Sequence, residues 1–123
     1  MASAMQTFQK IDRLRSPADF RRVYDRKCSV SDSVLIVYGL ANDLGRLRLG
    51  VSVSRKIGNA VARNRFKRVY REAFRLTRAE LPAGFDLILL PKSTREPTLD
   101  EVRQSLCKLV PALVRRLERT DKK

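Results

Sequence analysis

The sequence predicts an α+β fold, one mixed four-stranded sheet packed against helices, and three observations carry that reading. Stretches with helical spacing of apolar residues interrupt stretches of strand length. Two strand-like runs stand side by side between positions 34 and 54, one β-branched and one cleanly alternating. A third run, 85–90, is apolar throughout except for Asp86 and lies between two long helical stretches. The coarse order is helix, short strand, two strands, long helix, strand, helix, within a single domain over 1–123 whose ordered part is roughly 10–118.

The elements follow in order. Residues 1–14 and 119–123 carry few core signals and read as frayed arms. Ser16-Pro17-Ala18-Asp19 is a helix start: Ser16 caps, Pro17 suits the first helical position, and Asp19 can reach back. This helix runs to about Arg26, with Phe20, Val23 and Tyr24 sharing a face. Cys28 to Val30 is a short strand and Val34 to Leu40 a longer one. After the turn Asn42-Asp43-Leu44-Gly45, residues 46–54 alternate. Leu47, Leu49, Val51 and Val53 point one way, and Arg46, Arg48, Gly50 and Ser52 the other. These two runs are expected to pair as an antiparallel hairpin.

Asn59 caps a long helix to about Glu80, and Leu81-Pro82-Ala83-Gly84 stops it. Phe85 to Leu90 then reads as a strand covered on both faces. Thr98-Leu99-Asp100-Glu101 is a capping box for the last helix. Its stripe is Val102, Leu106, Leu109, Val110, Leu113 and Leu117, and Pro111 is expected to kink or split it.

Composition narrows the function. Twenty-seven Lys and Arg against thirteen Asp and Glu leave a net charge of +14 on 123 residues, which points first to nucleic acid and second to an anionic membrane surface. The chain has no histidine, which removes the commonest general base and every His-dependent triad. Asp86, Glu72 and Asp100–Glu101 form no converging acid pair or metal cage, so no catalytic or metal-binding residue is assigned. Cys28 and Cys107 are far apart, form no zinc motif, and read as semi-buried structural thiols in a reducing compartment. With no apolar run of spanning length and no signal-like N-terminus, the chain is expected in the cytoplasm.

The charge is concentrated. Residues 55–78 hold nine basic residues and one acidic, so +8 of the +14 falls in 24 positions. On a helical wheel Ala62, Phe66, Val69, Ala73 and Leu76 gather on one side. Asn64, Lys67, Arg68, Arg71, Arg75 and Arg78 gather opposite, with Arg63 and Arg65 flanking the stripe. Like charges four apart (Arg63, Lys67, Arg71, Arg75) destabilise an isolated helix by a few tenths of a kcal/mol per pair, and a phosphate backbone would relieve them. The bland alternative is a solvated face, but ordinary helix surfaces intersperse both signs.

The order of residues says more. Gly58-Asn59-Ala60-Val61-Ala62-Arg63-Asn64-Arg65-Phe66-Lys67-Arg68, continuing through Arg71-Glu72, resembles the Arg-Asn-Arg motif of the bacterial ribonuclease P protein subunit. The preceding segment, Leu49 to Ile57, is similar to that family's strand leading into the motif. The resemblance implies an αβββαβα sandwich with a left-handed βαβ crossover. It implies that Arg55, Lys56, Arg63, Asn64, Arg65, Lys67, Arg68 and Arg71 contact the catalytic RNA. It implies also that Phe20, Tyr24 and Tyr38 form a cleft for the single-stranded 5′ leader of precursor tRNA. By spacing alone those three aromatics read as core.

The implied mechanism leaves cleavage to the RNA, with magnesium at its catalytic centre. The protein supports binding, does not cleave alone, and needs no obligate protein partner. A structural RNA-binding protein of ribosomal type is the alternative. A peripheral membrane binder is a third reading, weakened because Phe66 and Val69 are needed by the core.

Overall fold

In the computed structural model, which describes residues 12–121, side-chain caps set where each helix begins. Ser16 Oγ accepts the Asp19 N–H at 3.1 Å and opens α1 (Pro17–Asp25), while the Asp19 carboxylate reaches back to the Ser16 side chain and also pairs with Arg22. Asn59 Oδ1 accepts the Ala62 N–H at 2.9 Å and opens α2 (Ala60–Thr77). Before α3 (Leu99–Asp121) the capping box closes both ways. Thr98 Oγ1 accepts the Glu101 N–H at 3.1 Å, and Glu101 accepts the Thr98 N–H at 2.9 Å. The strands are β1 (Ser29–Ser31), β2 (Leu35–Ala41), β3 (Arg48–Val51) and β4 (Phe85–Pro91), which completes the expected αβββαβα order.

The sheet order is β1-β2-β4-β3, with β4 antiparallel to β2 and parallel to β3. The expected β2–β3 hairpin does not form. Strand β4 is apolar on both faces and takes the interior place between them. Residues 42–47 carry the chain across its end, where the Asn42 N–H donates to Gly84 O at 3.0 Å. Asp86 holds this junction. Buried at 1% exposure, it accepts two hydrogen bonds from the Arg48 guanidinium, at 2.8 and 2.7 Å, and one from Asn42 Nδ2 at 2.8 Å.

One sheet face carries the main core. Leu35, Val37, Leu49, Leu87 and Leu89 pack there against α2 and α3. The stripe of α3 is buried as expected, and the helix runs unbroken through Pro111. Proline deprives the Cys107 carbonyl of its helical partner, but residue 107 is exposed and water can serve it. That exposure also corrects the reading of Cys107 as semi-buried, since it is turned away from the Leu106–Val110 stripe, whereas Cys28 is buried.

The stripe of α2 is rotated by roughly 60° from the expected one. Its buried members are Phe66, Tyr70, Ala73, Phe74 and Thr77, with Val69 and Leu76 half-buried. The rings of Tyr70 and Phe74 set the orientation, and Thr77 hides its hydroxyl by donating to Ala73 O at 2.8 Å.

The opposite face is covered by α1 and by residues 12–14, around Leu14, Val23 and Ile88. Residues 1–11 and 122–123 lie outside the described residues. Of the expected N-terminal arm, however, Asp12–Leu14 belongs to the fold. The Leu14 N–H donates to Leu49 O at 3.0 Å, and buried Asp12 pairs with Arg46 at 3.2 Å and Arg78 at 2.9 Å. At the other end α3 continues through Asp121, so 119–121 are helical too.

Removing the charge of Asp86 strands Arg48 in the sheet. Asp86→Asn is expected to cost about 3 kcal/mol, read from the urea midpoint, and an unchanged midpoint would show that the pair does not hold the strand order. Asp32 gives a pH signature. Burial pushes its carboxyl up, but hydrogen bonds from Ser105, Val34, Leu35 and Lys108 outweigh this and bring it down to about 2. A depressed carboxylate stabilises fully above its unfolded value near 3.9 and loses this as pH falls toward about 2. Asp32→Asn is therefore expected to lower stability at neutral pH, with the gap to wild type narrowing below about pH 4.

Candidate nucleic-acid interface

Rotating the α2 stripe toward Tyr70 and Phe74 turns its basic side toward the N-terminal segment. Asn64, Lys67, Arg68, Arg71 and Arg75 line an open concavity of about 690 Å³ with Arg13, and among the described residues the only acid lining it is Glu72. Glu72 is bound by Arg75 at 2.9 and 2.7 Å, which lowers the carboxyl pKa and raises that of the guanidinium. For Arg71 the shift runs the other way: burial, then the facing charge of Arg13, lowers its pKa. Two cations held against each other in a partly dry groove make a place where an anion is favoured.

Arg13 was not among the residues singled out from the sequence. Its place depends on Asp12, whose pairs with Arg46 and Arg78 reach far along the chain, and no local pattern signals that. Arg78 is spent on Asp12 and on the Phe74 ring, 5.7 Å from its centroid, and leaves the basic face.

The other expected RNA contacts lie outside the concavity. Arg55 and Lys56 are exposed on a 3-10 turn, Arg55–Ile57, ahead of α2. Gly58 ends that turn at φ 148°, a conformation other residues rarely adopt. Arg63 is half-buried beside the apolar stripe, and among the described residues its Nε has no hydrogen-bond partner. Arg65 is exposed and pairs with Glu96 at 2.9 Å, a surface contact of the kind worth at most about 1 kcal/mol and easily exchanged.

The three aromatics meet on the other face of the sheet. All are half-buried, packed on Leu14, Val23 and Ile88 but not enclosed. Tyr24 and Tyr38 stand edge to face with centroids 5.0 Å apart. Phe20 lies over Gly50, where a Cβ would come within 2.7 Å of the ring, so glycine is what lets the ring settle onto β3. Gly50, Ile88 and Tyr38 are register partners across β3, β4 and β2, so the rings follow one row across the sheet. A second, smaller concavity includes Phe20, Gly50, Arg13, Arg15 and Arg71, and thus joins the aromatic row to the basic face through Arg13 and Arg71.

Among the described residues no three His, Cys, Asp or Glu side chains gather as a metal site, and no helix is long and apolar enough to cross a membrane.

Comparison with known proteins agrees with the fold and gives the family. The family model described as Ribonuclease P matches residues 8–114. The ribonuclease P protein component of Pelotomaculum thermopropionicum is 40% identical over 101 residues, covering 81% of this chain and 90% of that protein. That of a Thermoanaerobacter species is 36% identical over 103 residues, with 83% and 89% covered. Among solved structures, the RNase P protein of Thermotoga maritima superposes with a TM-score of 0.74 at 31% identity, covering 81% of this chain and 96% of that one. The Staphylococcus aureus protein gives 0.71 at 34%, covering 82% and 94%. With its basic helix, its mixed sheet and these relatives, the chain belongs to the bacterial ribonuclease P protein family, as the protein component of a tRNA-processing endoribonuclease.

Proposed function

We propose that the chain holds two RNAs at once, the catalytic RNA on the α2 face and the 5′ leader of precursor tRNA on the aromatic row. The observation that supports this most is the cationic concavity built by Asn64, Lys67, Arg68 and Arg71 with Arg13 and Arg75, whose one acid is already neutralised by Arg75. A folded RNA would bring phosphates into that groove and release their counterions, relieving the repulsion between Arg13 and Arg71. Arg55, Lys56, Arg63 and Arg65 extend the contact along the start of α2, with Arg65 exchanging Glu96 for phosphate.

The leader would stack on Phe20, Tyr24 and Tyr38, each platform worth about 1–3 kcal/mol and indifferent to sequence. Half-burial suits this role, because the sheet fixes each ring while part of its surface stays open. Hydrolysis belongs to the RNA with its magnesium. The protein screens phosphate repulsion and raises substrate affinity, works in the cytoplasm where tRNA precursors are made, and alone cleaves nothing. A structural RNA-binding protein would have the basic face but no use for open rings.

Reconstitution with a bacterial ribonuclease P RNA at low magnesium tests the proposal as a whole: restored precursor cleavage is expected, and no response would end it. Replacing both Arg63 and Arg65 with Ala is expected to weaken assembly with that RNA and flatten its log–log salt dependence by about 0.7–0.9 per lost phosphate contact. The same slope in wild type and variant would remove these residues from the interface. Phe20→Ala is expected to weaken binding of leader-bearing precursor by about 1–3 kcal/mol while leaderless tRNA binds as before. Equal losses on both substrates, with a lower melting temperature, would make the ring purely structural.

A further inference from the structure

We infer that the aromatic row ends in a second phosphate-binding site, at the outer edge of β1, which holds the far part of the single-stranded leader. The inference rests on the leader reading above and extends it to residues outside the cleft. The row across the sheet does not stop at Tyr38. Its register partner on β1 is Ser29, so Gly50, Ile88, Tyr38 and Ser29 form one line over all four strands, roughly 14 Å from end to end. Phe20 covers the first of these positions and Tyr24 the third, because α1 crosses the sheet in the direction of that line.

Cations stand at both ends of it. At the β3 end are Arg13, Arg15 and Arg71, beside Phe20. At the β1 end, on the α3 side of the sheet's edge, Arg115, Arg116 and Arg119 line an open concavity of about 390 Å³ with Val30 of β1, and among the described residues Glu118 is the only acid lining it.

This end is held in place. Arg116 Nη1 donates to Ser29 O at 2.7 Å, which fastens α3 to the edge strand at the row's last position. The Arg26 guanidinium reaches Leu117 O at 3.5 Å and ties the end of α1 to the same stretch of α3. Lys27, exposed and at φ 55°, turns the chain from α1 into β1 beside them. Among the described residues Lys27, Arg115 and Arg119 form no ion pair. Cations near a helix C-terminus are favoured by the dipole alone, which accounts for one or two of them. It does not account for their gathering beyond the last position of an aromatic row. A strand of RNA with its bases on Phe20, Tyr24 and Tyr38 would carry its backbone around the outer edge of β1, where Arg116 holds Ser29 O, and into this cluster on the α3 side.

The test uses the full chain assembled with a bacterial ribonuclease P RNA, and precursor tRNAs whose leaders are lengthened one nucleotide at a time. The variant is R115Q/R119Q, which keeps helix-forming side chains and the Arg116 tie. Wild type is expected to gain affinity in two stages, for nucleotides on the rings and then for those beyond. R115Q/R119Q is expected to match wild type on leaderless and short-leader substrates and to lose the second stage. Its salt slope on the longest leader is expected to fall by about 0.7 for each of the two phosphates, about 1.4 in all. A variant that follows a length-dependent wild type at every leader length, or that loses equally on leaderless tRNA, overturns the β1-edge site while leaving the cleft intact. A wild type indifferent to leader length overturns the leader reading itself.

Discussion

The arrangement depends on one buried ion pair. Asp86 on β4 binds Arg48 on β3 through two hydrogen bonds and Asn42 at the end of β2 through a third, so one carboxylate joins three strands at the point where the order departs from sequence. A buried charge unpaired is costly, so any arrangement that separates β3 from β4 leaves a carboxylate or a guanidinium stranded. Strand insertion decides the rest. With β4 inside, α2 becomes the crossover between two parallel neighbours, and one side of it must lie on the sheet. Its cations are then left on the outer side, and Gly50 aligns with Ile88 and Tyr38 to carry the rings.

Both surfaces proposed to meet RNA are accordingly by-products of apolar burial. Phe66, Tyr70 and Phe74 anchor α2, and their orientation sends Lys67, Arg68, Arg71 and Arg75 into one groove with Arg13. The repulsion inside that groove opposes folding in the absence of an anion, and the core supports it. On the other face the minor cluster around Val23 and Ile88 is too small to enclose Phe20, Tyr24 and Tyr38. Incomplete burial there is what leaves a platform open.

Local chemistry was legible in the sequence and long-range partnership was not. The caps at Ser16, Asn59 and Thr98 and the two-sided burial of β4 follow from residues within a turn or a strand of each other. Periodicity reports which face a residue takes but not which strand lies alongside, so two adjacent alternating runs read as a hairpin although a third strand separates them. Periodicity centres the α2 stripe too near Ala62 and Leu76, because Thr77 counts as polar although its hydroxyl donates to Ala73 O. The Arg63–Arg71 segment was visible by its charge and by family resemblance. Arg13 was invisible, since it is placed by ion pairs of its neighbour Asp12 with Arg46 and Arg78.

Strand order also has a consequence for biosynthesis. The last strand to leave the ribosome takes an interior position, and until it arrives β3 has no lateral neighbour beyond the short bridge from Arg13. A β1–β2 hairpin is marginal in water without further strands, so a nascent chain halted before residue 85 carries the guanidinium groups but no rigid surface to display them. A shaped face in this molecule therefore arises only once β4 has been made and has entered between β2 and β3.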